Sequence, residues 1–197
     1  KPGRYVGGEL NSIHKDWDKA QAKMAFAFPD LYEIGMSHLG LRLLYEAVNN
    51  HSNHLCERVF MPGKDMAALL KEKKLPLYTL ESYHGLGDFD LVGFTLQYEL
   101  SYTNILAMLD LAGIPLTTAE RGDNWPVIAA GGPCAYNPEP LAEVVDLCFI
   151  GEGEALDIQV LDLLAEVKAA GGRKSDFLRK AALLPGVYVP SFYEEVY

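Results

Sequence analysis

Only three cysteines, Cys56, Cys134 and Cys148, occur in the 197 residues, and no C-x-x-C pair joins any of them. So odd and scattered a set argues against a disulfide framework or a structural zinc centre, and leaves the thiols as small buried hydrophobes. Lys/Arg-rich blocks are also missing: 17 basic residues stand against 27 acidic ones, a net charge of −10. A field of that sign repels phosphates, so this chain is not expected to grip nucleic acid or an anionic membrane. The longest apolar stretches, at residues 24–29 and 127–130, fall far short of the ~20 residues that cross a bilayer. Lys1 opens no signal-peptide pattern, and the expected location is the cytoplasm. Three nucleotide and hydrolase signatures are lacking too. No G-x-G-x-x-G follows the first apolar run, Gly35-x-x-x-x-Gly40 has neither the Lys nor the Ser/Thr of a P-loop, and there is no G-x-S-x-G elbow. There is no internal repeat at a period of roughly 20–50 residues.

What the sequence does hold is an alternation of strand-length apolar runs with stretches of helical period. Met24-Ala-Phe-Ala-Phe28 ends at Pro29, and from Ser37, the expected N-cap, Leu41, Leu44, Tyr45 and Val48 fall at i, i+3, i+4 and i+7. A strand near residues 55–61 and a helix over 65–74 follow, with a short edge strand expected at 77–80. The run Leu91-Val-Gly-Phe-Thr-Leu96 precedes a helical face of Tyr102, Ile105, Leu106, Leu109 and Ala112, stopped by Gly113 and Pro115. Residues 127–130 read as the next strand, Asn137 and Pro138 as the N-cap and N1 of a short helix running towards Val145, and 147–150 as the last core strand. Gly151-Glu-Gly-Glu154 then leads into a helix carrying Leu156, Val160, Leu163, Leu164 and Val167.

Continuous apolar strands separated by helices imply an α/β fold: a Rossmann-like (flavodoxin-like) parallel sheet of about five strands with helices on both faces. The core is expected over residues 22–170. Residues 1–21 read as a polar lead-in. Residues 171–197, with a short helix after Ser175 and extended stretches at 187–189 and 192–196, read as a connector to something further.

Ligands of such sheets bind outside the carboxyl ends of the strands. Those ends are Pro29 to Ser37, Thr95 to Ser101, Gly131 to Asn137 and Gly151 to Glu154. Glycine lets a ligand approach the backbone there, although Gly131 and Gly132 also suit a plain tight turn. Gly40, inside a helix, suggests close contact between that helix and the sheet.

The phrases Phe28-Pro-Asp-Leu-Tyr-Glu-Ile-Gly-Met-Ser-His-Leu-Gly-Leu41, Val92-Gly-Phe-Thr95, Ala130-Gly-Gly-Pro133, and Asp146 followed by Gly151-Glu-Gly-Glu154 carry a family resemblance. Over about residues 4–197 the chain resembles the N-terminal cobalamin-binding-like domain of radical S-adenosylmethionine (radical SAM) proteins, and more narrowly an uncharacterised bacterial subgroup of them. The resemblance implies a Rossmann-like domain holding cobalamin against a following radical SAM barrel of the same polypeptide. Asp30, Tyr32, Gly35, Ser37, Thr95, Gly131, Gly132, Gly151 and Glu152 are the cofactor-binding residues it implies.

Two departures qualify it. Cobalamin domains that ligate cobalt from below use an Asp-x-His-x-x-Gly loop, because an imidazole can replace the cofactor's own base. Here Tyr32 stands in the His position, and a neutral phenol is a poor cobalt ligand, so binding without a protein ligand is expected. The C-x-x-x-C-x-x-C loop that holds a [4Fe-4S] cluster is absent. The cluster and S-adenosylmethionine are implied only for a missing C-terminal region, and this chain alone is not expected to be catalytic.

Tyr32 in the His position and bulky Leu96, Gln97 and Tyr98 at the third strand end motivate an alternative, a degenerate domain that binds no corrin and serves substrate presentation or domain–domain contact. Tyr98, Glu99 and Tyr102 suit either a ligand or a domain interface. His38 is expected to cap or pack rather than ligate. Glu152 and Glu154 are expected to favour a helix dipole, and His51, His54, Cys56 and Glu57 to form a polar loop rather than a metal site.

Overall fold

In the computed structural model, which describes residues 1–194, the chain runs β1 (Lys23–Phe28), α1 (Tyr32–Met36), α2 (Leu39–His51), β2 (Leu55–Phe60) and α3 (Lys64–Lys73). It continues through β3 (Leu91–Thr95), α4 (Tyr102–Ala112), α5 (Thr118–Arg121), β4 (Val127–Gly131), β5 (Leu147–Phe149), α6 (Gly153–Ala169), α7 (Lys174–Ala181) and β6 (Val187–Tyr188). The six strands form one sheet of order β2-β1-β3-β4-β5-β6. The first five are parallel, and β6 adds an antiparallel edge through Cys148↔Tyr188 and Phe149↔Val187. Strand order therefore reverses between β1 and β3, as in flavodoxin-like sheets.

The β1 sequence explains how both faces are covered. Ala25 and Ala27 face one layer with Val92, Ile128 and Ala130, under α3 and α4, while Met24, Phe26 and Phe28 face the other, under α2 and α6. Parallel strands buried on both faces need no polar alternation, which is why β1, β3 and β4 read as continuous apolar runs.

The N-terminal edge of the sheet is held by a buried ion cluster. The backbone N–H of Ile128 donates to the Asp146 carboxylate at 2.7 Å, and Lys174 Nζ and Arg121 Nη2 stand 3.2 and 3.4 Å from the same side chain. All three residues are buried. Asp146 thereby ties β4 and β5 to α5 and α7.

Several local expectations are corrected. Ser37 is not the N-cap of α2: His38 is, accepting from the Leu41 N–H at 3.1 Å through Nδ1, while Ser37 Oγ donates back to the Ile34 carbonyl. Residues 77–80 form no edge strand, only an isolated bridge between Tyr78 and Gly85. No helix runs from Asn137 to Val145. Two 3-10 turns, Pro133–Tyr136 and Glu139–Leu141, occupy the region, because three prolines within eight residues remove the donors an α-helix needs. Phe192 closes a 3-10 turn (Pro190–Phe192) rather than opening a strand, and residues 195–196 of that expected stretch lie outside the described residues. No helix among the described residues is long and apolar enough to cross a membrane.

Replacing Asp146 with Ala leaves Lys174 and Arg121 as uncompensated buried cations, and is expected to cost about 3–5 kcal/mol in a denaturant titration. Asp110→Ala, which removes only the exposed partner of Lys71, serves as the control and is expected to cost about 1 kcal/mol or less.

Candidate functional site

Parallel pairing brings the carboxyl ends of β1, β3, β4 and β5 to one edge of the sheet: Ala27 pairs with Phe94, Thr95 with Gly131, and Ala130 with Cys148. Loops after these strands latch onto one another. Tyr98, after β3, donates its phenol to the Asp30 carboxylate after β1, and Asn104 Nδ2 donates to the Pro29 carbonyl at 2.9 Å. The backbone N–H groups of Leu96 and Cys134 bond Gly131 O and Leu96 O at 2.6 and 3.0 Å, joining the β3 and β4 loops.

Under these loops, between α2 and α6, lies a cavity of about 290 Å³. Its floor is the sheet where β3 and β4 carry no side chain, at Gly93 and Gly131. Met24, Phe26, Leu44 and Phe149 give apolar walls, and Thr95, Gln97, His38 and Asp157 supply the polar groups. A mostly apolar hollow with a few placed polar atoms, at the switch point of an open sheet, is the usual build of a small-molecule site.

Each polar group has a distinct state. Thr95 Oγ1 accepts from Gln97 Nε2 at 2.6 Å. His38 Nδ1 is occupied by the Leu41 N–H, which leaves the proton on Nε2. Asp157 is 5% exposed, and no hydrogen bond to its carboxylate is found among the described residues. Burial alone pushes its acid up to about 7. The titratable groups around it are His38, across the cavity, and the Cys56 thiol of β2, itself driven up by burial and by neighbouring carboxylates.

Of the residues expected from sequence, Thr95, Gly131, Gly132 and Gly151 line the cavity. Gly132 adopts φ +97°, and a Cβ there would stand 3.0 Å from Leu96 O. The other five flank the cavity without lining it. Asp30 is engaged by Tyr98 and by the Leu31 N–H. Tyr32 packs edge-on against Phe60 and donates to Glu9 at 3.1 Å, with burial the main cause of its raised phenol pKa. Gly35 gives room to the Phe60 and Phe28 rings, Ser37 caps α1, and Glu152 is the exposed residue before α6.

Gly40 faces the His38 ring rather than the sheet. The His51, His54, Cys56 and Glu57 group is dispersed: His54 Nε2 meets Asp162 at 2.9 Å, while Glu57 accepts from Thr79 and Ser82. No group of three or more His, Cys, Asp or Glu able to hold a metal ion occurs among the described residues.

Sequence reading missed Gly93 and Asp157. The signals were present: a glycine inside an apolar strand marks close approach, and 157 precedes Val160, Leu161 and Leu164 at i+3, i+4 and i+7, an acid on the core face of its helix.

A family profile described as "Radical SAM proteins, N-terminal" matches residues 40–190. An uncharacterized protein of Methanocaldococcus jannaschii is 27% identical over 150 residues, which cover 75% of this chain and 28% of that protein. The chain thus spans little more than a quarter of the length of that relative. No solved structure matches.

Two outcomes are expected. The folded state keeps a proton on Asp157 that the unfolded chain releases above its ordinary 3.8, so this group weakens folding as pH rises from about 4 to about 7. Asp157→Leu removes that slope. Its advantage over the parent chain, measured by urea titration, grows across the window to on the order of 4 kcal/mol above neutrality. Gly132→Ala forces a side chain into a left-handed conformation against backbone, and is expected to cost about 1–3 kcal/mol.

Proposed function

Because the chain belongs to the radical SAM N-terminal family, we propose that it is the cofactor-holding module of a longer radical SAM protein, its strand-end cavity taking the nucleotide end of cobalamin. The observation that carries this reading is the cavity itself, floored by glycine and set between α2 and α6 at the switch point of the sheet. In this reading the exposed large side chains of the strand-end rim, Ile34, Leu39, Tyr98, Leu100 and Tyr136 on the segments after β1, β3 and β4, would hold the corrin.

The residues present fit a cofactor bound with no protein ligand below cobalt. Tyr32 turns away to Phe60 and Glu9, and His38 spends its unprotonated nitrogen on the cap of α2. When bound, cobalamin supplies a cobalt centre able to carry and release a methyl group or an organic radical. The chain's own residues do the holding: Gly93 and Gly131 admit a flat group against the backbone, Met24, Phe26 and Phe149 exclude water from it, and the Asp30–Tyr98 latch keeps the mouth in shape. A [4Fe-4S] cluster and S-adenosylmethionine belong to the C-terminal barrel that follows on the same polypeptide.

A second reading, a module that braces the barrel and holds no corrin, draws support from the same exposed rim, since Leu39, Leu100 and Tyr136 suit a protein partner as well as a macrocycle. Its sequence motive is weakened by the packing. Leu96 is buried on the opposite face of the sheet, under α4, and Tyr98 is held by Asp30, so neither fills the cavity, whereas Gln97 lines it beside Thr95.

Hydroxocobalamin mixed with the purified chain and passed through gel filtration is expected to co-elute at one equivalent. Gly93→Leu, whose side chain would occupy the cavity while displacing only the flexible end of Met24, is expected to weaken retention at least about tenfold with an unchanged circular dichroism spectrum. No retention by the parent chain at high micromolar cofactor leaves the bracing role in its place.

A further inference from the structure

Asp157 is buried and is given no hydrogen bond by any of the described residues. Gly153 opens α6, and the helix places Asp157 on the face that sends Leu156, Val160 and Leu161 into the core. A leucine or alanine would continue that face without the cost of desolvating an acid. The carboxylate instead projects beside Gly153 and Leu44 into the cavity, with no donor to meet it among the described residues. A nine-tenths-buried acid aimed into an apolar hollow and lacking a partner is accounted for by a group that arrives with the ligand.

The walls limit what that group can be. A primary ammonium brings three donors and a guanidinium five, more than Asp157 can accept; Met24, Phe26 and Phe149 offer none, Thr95 Oγ1 already accepts from Gln97, and His38 turns a donor to the cavity. A ring nitrogen needs one hydrogen bond only. The bare floor at Gly93 and Gly131 suits a planar ring, and the apolar walls suit its faces.

We propose that Asp157 is the specificity-determining residue of the cavity, selecting a planar aromatic heterocycle that carries one weakly basic ring nitrogen and sharing a single proton with it. The proton sits on the Asp157 oxygen and is donated to the nitrogen, or sits on the nitrogen and is donated to the carboxylate; no other group gains or loses one. This deepens the cobalamin reading and rests on it for the biological ligand, since the base at the nucleotide end of that cofactor is a benzimidazole.

The test uses two isosteric probes that differ only at the nitrogen, 1-methylbenzimidazole and 1-methylindole. Binding is followed through the NMR amide signals of Gly131, Gly151 and Gly153 in the parent chain, Asp157→Leu and Asp157→Asn. The parent chain is expected to prefer 1-methylbenzimidazole at least about tenfold. Asp157→Leu is expected to bind both rings alike. Asp157→Asn, whose amide still donates, is expected to keep part of the preference. The preference in the parent chain should fall as pH rises above neutrality, when the pair loses its one proton, and Asp157→Asn should show no such fall.

Equal affinity for the two rings, an undiminished preference in Asp157→Leu, or no shift of the three glycine signals with either probe overturns the inference. The two readings fail separately. Ring selectivity without retention of hydroxocobalamin removes cobalamin and leaves the role of Asp157 standing. Equal retention of hydroxocobalamin by the parent chain and Asp157→Leu removes that role and leaves cobalamin.

Discussion

A side chain left off the sheet is the constraint from which the site follows. Helices rest on a sheet through interlocking side chains, and a layer of that thickness closes only where both surfaces contribute atoms. Over most of the α2 and α6 face they do: Val48, Leu91, Leu147, Val160, Leu164 and Val167 form one contiguous core. In the middle of β3 and at the carboxyl end of β4, Gly93 and Gly131 contribute nothing, while Met24, Phe26 and Phe149 on either side keep the helices propped away. The hollow is what remains when two residues of a packed layer are omitted and their neighbours are too large to collapse into the space.

The mouth of that hollow is organised before any ligand arrives. Asp30 and Tyr98 cross the switch point, Asn104 holds Pro29, and the β3 and β4 loops exchange backbone bonds through Leu96, Gly131 and Cys134. These contacts fix the loops to each other rather than to an occupant, so filling the cavity requires little further ordering. Asp30 and Tyr32, expected to meet the cofactor directly, serve the walls of the site: one through its latch to the next loop, the other through the Phe60 ring and Glu9.

How much of this was legible in the sequence depended on whether the deciding interaction was local. Strands β1, β3 and β4 are buried on both faces, so their apolar runs are continuous and unmistakable, and the 3.6-residue period of α2, α4 and α6 records the single face each presents to the core. The gathering of Thr95, Gly131, Gly132 and Gly151 followed from parallel order alone. Local reading failed where two signals competed. Ser37 and His38 both can cap, and the imidazole wins because the hydroxyl is turned back to Ile34. Asn137-Pro138 resembles a helix start, yet Pro133, Pro138 and Pro140 hold the segment in 3-10 turns. The cavity and the isolation of Asp157 could not be read locally, since they depend on α2 standing opposite α6, more than a hundred residues away along the chain.

The phrase that begins at Asp146 and ends in Gly151-Glu-Gly-Glu154 looks like one signature, and in space it is two fittings on a single short rod. Asp146 is clamped among Lys174, Arg121 and the Ile128 amide at one edge of the sheet, and Gly151 and Gly153 border the cavity at the other, with the three residues of β5 between them. Fixed length therefore matters as much as residue type: one inserted position would keep the clamp intact while rotating everything beyond it to the wrong side of the layer. The spacing between the acid and the glycines works as a gauge, translating the anchoring of one rim into the alignment of the opposite one.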